Sequence, residues 1–246
     1  NRIRINRALQ AWVKKPKWGT IPILMAGDKP YFRWGRDVAL ERGAIPAVLA
    51  DHPMETTGFK SMLAGAKFSP DSSGGVSYRL TPTSMLRMSA VYGGHALQSP
   101  GLFPALLKEG FTGFVDYYLR KHDFFRPFSY IPWEEEEIER VLRAQYDWSS
   151  GPDHLVSSWR MGDGTAPFYN LMYLLGLGLT EHDTLRSNQI RYGLMERSEA
   201  MKKLTSDNRF NVLGLASYFA TVGIDLEWAG DRISEFAKVC LEESTG

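Results

Sequence analysis

Sulfur is scarce in these 246 residues: beside nine methionines there is one cysteine, Cys240. A single thiol excludes an internal disulfide framework, a four-cysteine zinc site and a C-x-x-C redox or sulfur-transfer pair. Cys240 falls in the apolar rhythm of Ile233, Phe236, Ala237 and Leu241, which predicts a core thiol. Long apolar runs are missing too, none reaching the roughly 18–20 residues that span a bilayer. The opening Asn1-Arg2-Ile3-Arg4-Ile5-Asn6-Arg7 lacks the basic, apolar and small-residue order of a secretory signal. A cytoplasmic protein without membrane contact is the resulting expectation. Asn1 in place of an initiator methionine adds the expectation that the chain is part of a longer product. Neither sign of charge dominates, with 29 Lys and Arg against 28 Asp and Glu. A global basic field for nucleic acid is therefore missing.

What is present suits a folded core. The chain is 43% apolar and 13% aromatic, with seven Trp, eleven Tyr and thirteen Phe. Disordered, collagen-like and coiled-coil classes are excluded by that content. Ile5, Leu9, Trp12 and Val13 recur at helical spacing over 2–13. Ile21 to Ala26 is a short apolar run ending at Gly27-Asp28, which reads as a buried strand. A helix over 31–42, closed by Gly43, and a second strand over 45–50 complete a βαβ unit. The predicted fold class is thus α/β, a Rossmann-like partial parallel sheet in 1–70, followed by a mostly α-helical region over 71–246. Doubly wound sheets carry roughly four to six strands, so the two predicted here imply leading strands upstream or on another chain. Helices are predicted over about 83–97, 101–109, 111–121, 134–146, 165–178, 184–194, 196–206, 208–222 and 230–243 from apolar periodicity and punctuation. The run Glu134 to Glu137 reads as a helix start, where carboxylates suit the macrodipole.

Four segments could carry chemistry. Ser73-Gly74-Gly75-Val76-Ser77 superficially resembles the phosphate loop of the PP-loop ATPases. Ser77 and Tyr78 stand where that loop has Asp and Ser, and no buried strand precedes it, so a phosphate nest is not expected there. Trp159-Arg160-Met161-Gly162-Asp163-Gly164-Thr165 leads into a helix with Pro167 in its first turn. Arg160 beside exposed N–H groups would bind an anion, and Asp163 could hold a ribose or an amine; the same residues also make an ordinary turn and cap. Arg186-Ser187-Asn188-Gln189-Ile190-Arg191 follows Asp183 and Thr184, either of which can cap its helix. Its arginines are planar donors suited to carboxylate or phosphate, or else a solvated face of ion pairs. Asp51-His52-Pro53-Met54-Glu55-Thr56 and Gly27-Asp28-Lys29 follow the two predicted strands, where open α/β sheets bind ligands; ordinary polar loops are the alternative. The five histidines are scattered without metal-ligand spacing, so no metal site is assigned to side chains of this chain.

Several of these segments together resemble the N-acetyl sugar amidotransferase group, PP-loop ATPases of the adenine nucleotide alpha-hydrolase superfamily. The similarity lies in Asp51 to Lys60, in Tyr130-Ile131-Pro132-Trp133-Glu134-Glu135-Glu136, in Trp159 to Thr165, in Arg186 to Gly193, and in Arg197-Ser198-Glu199-Ala200. The resemblance implies a Rossmann-like ATP pyrophosphatase sheet and a helical region. It implies an ATP-dependent amidotransferase or ligase that adenylates a carbonyl or carboxylate acceptor, such as a sugar, for attack by ammonia or another nucleophile. ATP and Mg²⁺ are the implied cofactors. Arg160, Asp163 and Arg191 are the expected catalytic residues. Thr165, Arg186, Asn188, Glu55 and Asp51 would bind substrate, and Asp28 and Lys29 would line the nucleotide crevice. The Ser-Gly-Gly-x-Asp-Ser loop is absent from these residues, so an upstream half or a companion chain would supply it. A non-catalytic partner subunit of a split enzyme and a tRNA-modifying ATPase are the alternatives, the second disfavoured by the balanced charge.

Overall fold

The computed structural model describes residues 2–16, 21, 30–43, 47–48, 54, 59, 69–70, 76–77, 81–105, 111–112, 115, 124–148 and 166–245. Their architecture is mostly helical. This corrects the expected α/β class. Among the described residues strand is confined to four two-residue segments: β1 (Ala47–Val48), β2 (Ser69–Pro70), β3 (Val76–Ser77) and β4 (Phe124–Phe125). β1 pairs in parallel with β4, and β2 pairs antiparallel with β3. The second predicted strand is present in part as β1, which pairs with β4. Ile21 is helical and buried, and 22–26 lie outside the described residues. At Ile21 itself the short apolar run does not separate a buried helical residue from a strand residue.

The chain divides into two compact units, one of residues 1–51 and 58–127, the other of 52–57 and 128–246. In the first unit, α1 (Arg2–Lys14) buries Ala8, Leu9, Trp12 and Val13, a stripe at helical spacing. α2 (Pro30–Arg42) starts on proline, whose missing N–H costs nothing in a first turn, and stops at Gly43 with φ +65°. α3 (Pro82–Gln98) is capped by Thr81, whose hydroxyl accepts from the Ser84 N–H at 3.1 Å. The 3₁₀ turn Pro100–Leu102 then packs on α1. The contact is close enough that a Cβ on Gly101 would sit 2.7 Å from the Ala11 Cβ. Both positions are fixed by backbone, so Gly101→Ala is expected to cost about 1–3 kcal/mol by overpacking. Urea unfolding of that variant against wild type checks it, and an unchanged midpoint would refute it.

The second unit contains α4 (Glu135–Tyr146), α5 (Ala166–Leu177), α6 (Glu181–Arg191), α7 (Arg197–Asp207), α8 (Val212–Val222) and α9 (Leu226–Thr245). These bounds follow the periodicity in the sequence closely. Phe168, Tyr169, Met172 and Tyr173 on α5 meet Leu215, Tyr218, Phe219 and Val222 on α8, each set one turn apart. Ala229, Ile233 and Phe236 of α9 complete this core. Among the described residues no helix is long and apolar enough to cross a membrane.

Candidate functional site

α6 has the sequence Glu181-His182-Asp183-Thr184-Leu185-Arg186-Ser187-Asn188-Gln189-Ile190-Arg191, with only Leu185 and Ile190 as large apolar side chains. Such a helix would ordinarily lie in solvent. Instead Glu181, His182, Leu185, Arg186, Asn188 and Gln189 are all buried. Its start is fixed by a capping box. Thr180 N–H donates to Asp183 Oδ2 at 2.7 Å, and the Thr180 hydroxyl accepts from His182 N–H at 3.1 Å. The cap is therefore Thr180, with Asp183 reaching back to it, rather than Asp183 or Thr184 acting as the cap. Asn208 ties this turn to the end of α7, its Nδ2 donating to Asp183 Oδ2 at 3.1 Å and its Oδ1 accepting from the Thr180 hydroxyl at 2.6 Å. Asn170 of α5 accepts from Glu181 N–H at 3.0 Å, and its Nδ2 lies 3.4 Å from His182 Nε2.

The centre of α6 is held by charge. Arg186 is 0% exposed. Its Nη1 donates to Glu135 Oε2 at 2.5 Å and to Gln189 Oε1 at 2.9 Å. Its Nε donates to Asp207 Oδ2 at 2.8 Å, and Nη2 lies equally close to that oxygen. Gln189 Nε2 closes the cluster on Glu135 Oε2 at 3.3 Å. Burial pulls the Arg186 pKa down, but the hydrogen bonds and charges of Glu135 and Asp207 outweigh it, and the net shift is upward. The guanidinium is thus permanently charged and already taken up by two carboxylates. Glu135 belongs to the four-glutamate run, whose members have separate tasks. α4 begins at the run as expected. Glu136 reaches Lys203 Nζ at 3.3 Å, and Glu137 pairs with Arg140 on the exposed side. The hydrogen bond from Arg140 is what holds the Glu137 carboxyl below its usual range.

The far face of α6 makes a different contact. Asn188 Nδ2 donates to the Met54 carbonyl at 2.9 Å, across 134 positions of sequence. Asn188 Oδ1 accepts from Arg191 Nη1 at 2.8 Å. One buried amide therefore links the Met54 carbonyl to an exposed arginine. Of the expected site residues, the structure places Arg186, Asn188 and Arg191 on one helix, but only Asn188 and Arg191 touch. Arg160, Asp163, Thr165, Asp51, Glu55, Asp28 and Lys29 lie outside the described residues. In the sequence Glu135 reads only as part of a helix-start run and Gln189 only as part of the Arg186–Arg191 segment, and Asp207 is not singled out. For Glu135 a signal exists: it precedes Ile138 by three and Leu142 by seven, which puts it on the apolar face of α4.

Asp71 to Gly75 is flanked by β2 and β3, which pair antiparallel, so its context is not the strand–turn–helix of a phosphate cradle. Among the described residues no group of three or more His, Cys, Asp or Glu could hold a metal ion. No known protein family, curated protein or solved structure matches this chain.

Proposed function

We propose that this chain is the acceptor-facing part of an ATP-dependent amidotransferase or ligase that acts on an acidic or carbonyl-bearing small molecule. The observation that carries the reading is the Asn188 to Met54 hydrogen bond. It joins two of the separate segments on which the family resemblance rests, and does so on a buried helix with only two large apolar side chains. Local rules are expected to be broken in this way at functional positions. The reading stands on that meeting of segments and not on a nucleotide-binding sheet.

Within this reading Arg191 recognises the acceptor. Its guanidinium is exposed on one side and anchored by Asn188 on the other, so its remaining donors form an oriented fork for a carboxylate or phosphate. Asn188 holds that fork and the Met54 carbonyl together. Arg186 does not grip the acceptor; Glu135, Asp207 and Gln189 occupy its donors. The nucleotide loop is supplied from outside the described residues.

The test is release of pyrophosphate by the full chain, with any companion polypeptide present, from ATP, an ammonium salt and a panel of N-acetylated sugars and sugar acids. Arg191→Ala is expected to lower turnover by about tenfold or more, the loss of one charge-assisted hydrogen bond being about 1.5–3 kcal/mol. Turnover close to wild type in that variant would remove Arg191 from the site. No nucleotide turnover with any acceptor would overturn the reading.

A further inference from the structure

We propose that Arg186 is a positioning residue, which sets the rotation of α6 so that Asn188 meets the Met54 carbonyl and Arg191 faces solvent. The placement of Met54 stands by itself; the consequence for acceptor binding rests on the function proposed above.

The argument is one of helix phase. With about 100° per residue, Gln189 lies within about 60° of Arg186, whereas Asn188 lies about 160° away, on the opposite face. Arg191 is then within about 60° of Asn188, which matches their 2.8 Å contact. α6 is thus gripped on one face by Glu135 and Asp207, with its own Gln189 joining the cluster, and meets the Met54 carbonyl with the other. Apolar packing alone would fix its rotation loosely, since Leu185 and Ile190 are its only large apolar side chains. The guanidinium fork fixes it tightly: Nε donates to Asp207 on α7, Nη1 donates to Glu135 on α4, and Nη2 lies between them, 2.8 Å from Asp207 Oδ2 and 3.4 Å from Glu135 Oε1. Any turn of α6 about its axis breaks one of these two pairs. Buried ionic clusters are weak contributors to net stability, and fixing register is the best-attested reason for keeping one. The same rotation that satisfies the fork brings the Asn188 amide to the Met54 carbonyl. Asp183 and Asn208 limit the helix at its start, Asp183 standing eight residues before Arg191, and leave the far end to Arg186.

A methyl-labelled methionine spectrum reads the placement directly, because Met54 is 1% exposed and its signal can be assigned with Met54→Leu. The experiment compares the full chain with Arg186→Lys, which keeps the charge but loses the fork. Glu135→Gln keeps an acceptor oxygen toward Arg186 and serves if the lysine variant does not fold. Phe219→Leu, a core change on α8, is the control for stability loss alone. The Met54 signal is expected to shift or broaden in the two cluster variants and to stay in place in Phe219→Leu. Binding of a hexuronic acid, followed by calorimetry, is expected to weaken roughly two- to thirtyfold in the cluster variants, the range for residues that act without touching ligand. A Met54 signal unmoved in both cluster variants overturns the positioning role. A moved Met54 signal, with no hexuronic acid binding by wild type or none lost in Arg191→Ala, supports the positioning role and counts against the acceptor reading.

Discussion

Arg186→Met is expected to lower the unfolding free energy by about 3–5 kcal/mol, the cost of breaking a buried ion pair from one side. The methionine fills most of the volume. What it cannot do is neutralise Glu135 and Asp207, whose side chains are 6% and 0% exposed. Against a domain stability of about 5–15 kcal/mol, that loss alone brings the chain near its threshold. Most of it is a penalty on the stranded carboxylates and not the worth of the pairs. Replacing all four members together, Arg186→Met with Glu135→Met, Gln189→Leu and Asp207→Leu, is therefore expected to recover much of the deficit. Urea unfolding of the single and the quadruple variant decides this. If the quadruple variant is as unstable as Arg186→Met, the cluster contributes to stability as a unit and the stranded-charge account is wrong. The positioning role makes a further demand. Stability returns in the quadruple variant, but the Met54 signal does not, because an apolar contact does not choose one rotation of α6 as the fork does.

The helices were largely legible in the sequence, for a reason visible in α8 and α9. Leu215, Tyr218, Phe219 and Val222 repeat at one turn, as do Ala229, Ile233 and Phe236, and the buried residues are these. The strands were less legible. Ile21 opens an apolar run of strand length, yet it is helical, and β1 finds its partner at Phe124–Phe125, far along the chain. Nothing local encodes that pairing. The site was legible in part. Arg186, Asn188 and Arg191 stand out as planar polar groups within six residues, but spacing cannot say which are buried. A helix with two large apolar residues gives no inward face to read. Its burial depends on Glu135 and Asp207, which lie 51 and 21 positions away and find it only through the tertiary fold. Where side chains pack by apolar periodicity, sequence suffices. Where they pack by matched charge, the partners must be seen together.

Phe219→Ala supplies the opposite case, a large stability loss expected to leave the site in place. Phe219 is 0% exposed, and its ring lies 5.8 Å from Phe168 and 5.9 Å from Tyr218. Truncation removes apolar area and leaves a cavity between α5 and α8, at a cost of about 3–5 kcal/mol. Lost ring–ring geometry is part of that total. Phe219→Leu fills much of the space and is expected to cost less than about 1.5 kcal/mol, as volume-conserving swaps do. Both are read from urea midpoints at unchanged slope, so that compactness of the unfolded state is held constant. The alanine variant and Arg186→Met then stand at similar stability with different defects: a void between aromatic helices in one, a loosened α6 in the other. Under conditions where each is still folded, the Met54 signal is expected to match wild type in Phe219→Ala and to differ in Arg186→Met. If both variants move it equally, the 52–57 contact reports overall stability, and Arg186 has no placement role of its own.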